Sequence, residues 1–487
     1  MLSTRGSPTA GRAVMVDVHD DAMLRRFLLG LAEGMTAAQE SIDRIVDTMV
    51  TVSRAYGRDD VDLVVLPTVI IVQTGSGDTG HVALRTASGP QLRFDQIAAL
   101  YDLLERARRG AIDPAAGIDR LNEIGAMHPR HGWPLQVFGH AVLTTGLALL
   151  LMPTWQGIMV AFGLGALLGL AKLIRSPTLR LVFPVVAAFV SAVTVFLVAL
   201  VLPIGDPLLL LIAPLVTFLP GGLLTTATME LAAGQMIAGA SRLVTGLVQL
   251  GLLSFGILAA GSIVGVGASS YVPLDAAGRL PWWTALAGVL LLAIGDVLHF
   301  SSPGRTFGWV LLALVVAYAG QSVGALVAGP TVSGFIGALA MTPVVLWIAT
   351  LRRGVPTQLT FLPAFWLLVP GAAGLSGLTE AIGTSRGFDD FTEALTSVMA
   401  IALGVLIGTA LYRVVHHGAE ELANFHIDVP SALHETEQPP FWARLVPGTP
   451  RSIWQRADHR APPPPLATHQ PDAPGPRGGR TSRAGRS

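Results

Sequence analysis

Residues 135–413 hold only ten Lys/Arg and eight Asp/Glu in 279 positions, and that scarcity constrains the fold more than any other feature of the chain. Soluble domains devote about 25% of their residues to charge. Here 13% of the 487 residues are charged and 51% are hydrophobic, a balance that makes lipid the main solvent. The remaining charge sits at the ends, with 14 Arg and 17 Asp/Glu in residues 1–134 and 8 Arg and 7 Asp/Glu in 414–487. Both ends therefore read as water-exposed. The first apolar run starts near Leu135, too late for a cleavable signal peptide. Cysteine is absent, which excludes disulfides, thiolate-bound metals and cysteine nucleophiles. A formal charge of zero offers no electrostatic case for nucleic acid.

The amino-terminal segment reads as a disordered stretch over 1–21 followed by a small cytoplasmic α+β domain over 22–134. Phe27, Leu31, Met35, Ile42, Ile45, Met49 and Val52 recur at helical spacing, predicting a helix from about 22 to 55 that Gly34 bends or splits. Asp62–Leu66, Val69–Thr74 and Val82–Thr86 are rich in Val, Ile and Thr, and Gly75–Asp78 supplies a hairpin turn. Further helices are predicted at 94–109 and 113–127, the second capped by Asp113 with Pro114 at its first position. His128 and His131, near Asp119 and Glu123, could be drawn as a metal site. Their setting among Pro129, Gly132, Trp133 and Pro134 favours an interfacial linker, so neither metal nor cofactor is expected.

Ten apolar segments follow, at 135–152, 156–174, 179–201, 207–228, 241–265, 283–299, 306–322, 325–349, 357–378 and 394–413. Each approaches the ~20 residues that cross ~30 Å of hydrocarbon. With the amino-terminal domain in the cytoplasm, Lys172, Arg175, Arg180, Arg242, Arg305, Arg352, Arg353 and Arg413 fall inside, and only Arg279 and Arg386 fall outside. This direction obeys the positive-inside rule and places both termini in the cytoplasm. From Val414 onward the tail to 487 starts as a short interfacial helix and becomes Pro-rich, a composition that cannot build a core.

The two halves resemble each other at an offset of 150 positions. Pro220, Gly221 and Glu230 align with Pro370, Gly371 and Glu380 without a gap. Five segments per half is an odd number, so the second half enters from the opposite side: two inverted five-helix repeats over 135–265 and 283–413. Proline at a span's centre removes a backbone donor and clashes with the turn before it. A break there frees backbone groups that must face protein or a hydrated cavity. The competing reading of each Pro–Gly pair is an ordinary kink. Thr217, Pro220, Gly221, Gly222 and Thr225 at the first pair, with Pro370, Gly371 and Ser376 at the second, are the candidates for a substrate path. Asp296 and His299, three residues apart and titratable, are candidates for proton handling, with Glu230 and Glu380 beside them. A helix-end cap or headgroup contact is the plainer role for Asp296 and His299, and His140 reads as similarly plain.

Several strings occur in a consistent order: Phe27-Leu28-Leu29-Gly30-Leu31-Ala32-Glu33-Gly34-Met35, Ala55-Tyr56-Gly57, Leu66-Pro67-Thr68, Leu121-Asn122-Glu123-Ile124, Leu219-Pro220-Gly221-Gly222, Met229-Glu230-Leu231-Ala232-Ala233-Gly234 and Ser241-Arg242-Leu243. With Val369-Pro370-Gly371 in the second half, the chain over 22–413 resembles the bacterial threonine/serine exporter family in its single-chain, actinobacterial-type form. The resemblance implies a non-enzymatic secondary transporter of the inner membrane, exporting threonine and serine at the expense of the proton gradient. Its partners would be these amino acids, protons and the bilayer, with a homo-oligomer admitted. The alternatives are a channel, a membrane hydrolase, a scaffold or signalling protein using the amino-terminal domain, and an exporter of another small solute.

Overall fold

The computed structural model describes residues 10–75, 81–87, 91–151, 154–174, 176–204, 206–266, 281, 283–368, 379 and 387–417. Its amino-terminal layer comprises α1 (Ala10–Ala37), α2 (Ile42–Ala55), β1 (Val61–Val65), β2 (Val69–Thr74), β3 (His81–Thr86), α3 (Phe94–Arg108) and α4 (Pro114–Ala126). The strands form an antiparallel sheet in the order β1-β2-β3, with Val65 opposite Ile70 and Val69 opposite Thr86. Alternation along β2 buries Ile70, Val72 and Thr74 on one face, the period-2 signature of a half-covered strand. α4 starts where its composition dictates, because Asp113 Oδ2 accepts from the N–H groups of Ala115 at 3.0 Å and Ala116 at 3.3 Å.

Two expectations about this layer need correction. The stretch 1–21 is not wholly disordered, since α1 begins at Ala10; no proline lies between Thr9 and Leu66 to stop a helix. The break between α1 and α2 falls at 38–41, where Gln39 takes φ 61°, and not at Gly34. Gly34 serves close packing instead, since a Cβ there would lie 3.0 Å from Leu100 Cδ1.

The apolar region supplies α5 (Trp133–Leu151), α6 (Trp155–Ala171), α7 (Pro177–Ala199), α8 (Pro207–Leu215), α9 (Gly221–Ala232), α10 (Met236–Val264), α11 (Trp283–His299), α12 (Phe307–Ala328), α13 (Pro330–Thr350), α14 (Thr357–Leu368) and α15 (Gly387–His417). Helices occupy all ten predicted segments. Among the described residues six are long and apolar enough to cross a bilayer, or seven if the bent pair α8–α9 counts as one span. α6, α11 and α14 are apolar but shorter, at 17, 17 and 12 residues. Seventeen residues rise about 25 Å, short of a full hydrocarbon core. Large apolar side chains such as Val190 on α7, Phe255 on α10, Leu326 on α12 and Leu403 on α15 face outward, as lipid requires.

Inside, lipid-like side chains give no hydrophobic drive for one helix to prefer another, so close backbone approach matters. α5 and α11 meet along glycines: a Cβ on Gly288 would lie 2.8 Å from Gly146 O, and one on Gly139 would lie 2.6 Å from His299 N. Gly288→Ala is accordingly expected to destabilise the bundle by about 1–3 kcal/mol through overpacking. Gly163, where an added Cβ meets nothing within 4 Å, provides the control, and Gly163→Ala should leave the thermal midpoint in detergent unchanged. Equal midpoints for the two variants would remove the glycine seam from the account.

The amino-terminal core does not end at the layer's boundary. Ala238 of α10 and Leu359 of α14 belong to it, and Phe300, Leu362 and Trp366 pack against it.

Candidate functional site at the broken helix

Between α8 and α9 the chain passes through a 3₁₀ turn, Val216–Phe218, and the two helices diverge by 68°. The cause is local. Pro220 stands immediately before the first turn of α9, at φ −80° and ψ 31°, and its carbonyl accepts from Leu224 N at 2.9 Å. The Phe218 carbonyl, left outside either helix, accepts from Gln249 Nε2 on α10 at 2.6 Å. This is a break with a side chain satisfying one exposed backbone group, more than the gentle bend of a simple kink.

A polar cluster assembles on this break from four separate elements. Lys172, at the carboxyl end of α6, donates to Thr217 Oγ1 at 2.5 Å, and its ammonium lies 4.6 Å from the centre of the Phe218 ring. His140 of α5 lies 3.2 Å through Nε2 from the same hydroxyl and 2.7 Å through Nδ1 from the Gly165 carbonyl. A carbonyl can only accept, so Nδ1 carries the proton and Nε2 accepts from Thr217. The order of donors is therefore Lys172 to Thr217 to His140 to Gly165. His299 of α11 packs edge-on against His140, ring centres 4.6 Å apart, and its Nδ1 meets the Gln136 carbonyl at 2.9 Å.

The other sequence candidates scatter around this centre. Thr225, one turn into α9, is buried and its hydroxyl has no hydrogen-bond partner among the described residues. Gly221 is buried at the start of α9, and a Cβ on Gly222 would make an ordinary 3.5 Å contact with Leu362. Asp296 is fully buried, and neither carboxylate oxygen has a partner among the described residues, so no hydrogen bond joins it to His299. Glu230 is drawn elsewhere: Arg242 Nε lies 3.1 Å from its Oε2, and the Ile42 N–H donates to its Oε1 at 3.3 Å. Pro370, Gly371, Ser376 and Glu380 lie outside the described residues, as does the Pro-rich tail from 418.

Sequence reasoning passed over Lys172 and His140, using the first only as a charge marker and setting the second aside. A signal was present. Lys172 is the single lysine in a chain that otherwise carries its positive charge on arginine, and it follows directly on an apolar run. Chemically, the centre offers an ammonium, a hydroxyl, an imidazole and a half-helix amino end beside a backbone break, a set suited to an anionic or zwitterionic solute. Among the described residues no group of three or more His, Asp or Glu could hold a metal ion.

Outward apolar faces, helices of bilayer length and a polar centre at a broken span define a polytopic α-helical membrane protein. Residues 26–264 match the sequence model of the ThrE family, described as putative threonine/serine exporter. The match runs through α1 to α10 and takes in His140, Lys172, Thr217, Pro220, Glu230 and Arg242, whereas Asp296 and His299 lie beyond it. No curated protein and no solved structure matches the chain.

Proposed function

We propose that the chain is a secondary transporter that exports threonine and serine across the bacterial inner membrane, with both termini in the cytoplasm and proton entry as the driving reaction. The observation that carries this reading is the Lys172–Thr217–His140 cluster on the broken helix, inside the family-matched stretch. A hydroxylated amino acid presents a carboxylate, an ammonium and a hydroxyl at fixed spacing. Lys172 and the first N–H groups of α9 at Gly221 and Gly222 suit the carboxylate; Thr217 and Thr225, whose hydroxyl has no partner among the described residues, suit the hydroxyl. In the ten-span arrangement of two inverted repeats, Pro370, Gly371 and Ser376 would complete the site from the other half. Proteoliposomes containing the purified protein should show counterflow of labelled threonine and serine. Counterflow of neither would overturn this assignment.

Asp296 is the group we assign to proton handling. A buried carboxyl without a partner is tolerable in lipid when protonated, so its loading with a proton can follow the state of the bundle. Asp296→Asn is expected to lower proton-driven export roughly tenfold more than equilibrium exchange, a difference of about 1.4 kcal/mol in the coupled step alone. Equal losses in both assays, with an unchanged response to the pH gradient, would remove Asp296 from coupling.

A further inference from the structure

Residues 40–44, at the α1–α2 junction, form a polar contact between the amino-terminal layer and the bundle, beside the Asp102–Arg305 pair at 3.6 Å and the apolar contacts of Ala238, Leu359 and Phe300. Glu40 is buried and receives hydrogen bonds on Oε2 from the Tyr101 hydroxyl and from Gln358 Nε2 of α14. Its Oε1 lies 3.6 Å from Arg44, and its main-chain carbonyl accepts from Arg242 of α10 at 3.1 Å. Burial, with the Glu40 carboxylate beside it, pushes the Tyr101 phenol well above its ordinary value, so the phenol remains a donor at neutral pH. Arg44 donates onward to Thr357 at 3.2 Å, Ile42 to Glu230 of α9, and Gln235 to Asp43 at 2.7 Å. Four residues of this segment, Glu40, Ile42, Asp43 and Arg44, thereby tie α9 and α10, which follow the break, to the start of α14 in the second half.

A line of ring contacts leads from the same layer to the break. Phe94, the first residue of α3, stacks on Phe300 at 4.9 Å; Phe300 meets His299 at 4.7 Å and Trp366 of α14 at 5.1 Å. His299 rests on His140, which reaches Thr217. Taking the transporter reading as its basis, we propose that the amino-terminal layer is the gate of the substrate site on its own side of the membrane. In it, Glu40 is the positioning residue that clasps α10 and α14, while Phe94 and Phe300 close the way to Thr217. The contacts on the clasp are polar and have water as an alternative partner, so they can be exchanged at each turn of a cycle, whereas a purely apolar seam would resist opening. Movement of α10 relative to α14 must break the clasp, because one carboxylate and its own backbone carbonyl hold both.

The chain has no cysteine, so introduced thiols are the only ones present. In an otherwise unchanged Thr217→Cys protein, labelling by an impermeant maleimide from the side of the amino-terminal layer should be slow. Adding Glu40→Ala should speed it about tenfold by shifting the population towards the open gate. Gln358→Leu, which spares every contact within the amino-terminal layer, should do the same and serves if Glu40→Ala fails to insert. Unchanged labelling in well-inserted variants would overturn the gate. Separately, a cleavable bis-thiosulfonate bridge across Asp43→Cys and Gln235→Cys should suppress threonine counterflow at least about tenfold and reductant should restore it. Equal counterflow with and without the bridge would also overturn the gate. Absence of threonine counterflow in the unbridged protein, with the labelling response intact, would sink the substrate assignment and leave the gate standing.

Discussion

Lys172→Met is expected to insert as well as the wild type and to lose at least about 30-fold in apparent affinity for threonine, the equivalent of about 2 kcal/mol or more. Insertion should hold because methionine fills a similar volume and is far cheaper than an ammonium among apolar helices. What disappears is the donor to Thr217 at 2.5 Å and the cation beside the Phe218 ring. A carboxylate entering this centre would then meet only the partial charge of the α9 amino end, which amounts to about half an elementary charge. Lys172→Arg separates charge from geometry, since guanidinium is planar and cannot reproduce a point contact with one hydroxyl. It should recover part of the affinity. Concentration-dependent counterflow in proteoliposomes, with insertion measured alongside, reads both effects. Unchanged affinity in Lys172→Met would reduce this lysine to a packing residue.

Straightening the break is expected to be more damaging still. Pro220→Ala with Gly221→Ala restores a backbone donor, removes the proline clash and limits the freedom of residue 221, so α8 and α9 can join into one helix. Lipid would accept that helix readily. The 68° divergence would close, withdrawing the Phe218 carbonyl from Gln249 and swinging Thr217 away from Lys172 and His140. The signature is normal insertion with counterflow reduced by about 100-fold, because the proposed site places substrate anchor and path together at the break. The doubled pattern extends the expectation to Pro370→Ala with Gly371→Ala, which should give a comparable defect. Near-wild-type counterflow in both inserted variants would sink the paired-break site.

Much of the architecture was legible along the chain because its causes are local. Lipid exposure demands long runs of apolar residues, so the helical segments could be placed before any coordinates were known. Asp113 with Pro114 marks a helix start through contacts two and three residues away, and Pro220 marks a break through its own ring. Glycine was less transparent: Gly34 reads as a hinge from its freedom, yet it sits inside α1 to admit Leu100.

Which side chains meet at the break could be decided only in three dimensions. His140 and Thr217 are 77 positions apart, Lys172 and Thr217 are 45 apart, and no helical or strand period links them. The same holds for Glu230. As a carboxylate at the end of an apolar segment it reads as a titrating group, whereas the fold gives it Arg242 and the Ile42 amide and makes it part of a joint with the amino-terminal layer. Composition and period therefore determined that this is a polytopic helical membrane protein with a break at Pro220, because solvent and backbone act residue by residue. Tertiary packing alone decided what that break holds, because a lysine, a threonine and a histidine acquire a shared chemistry only when α5, α6 and the broken helix bring them within hydrogen-bonding distance.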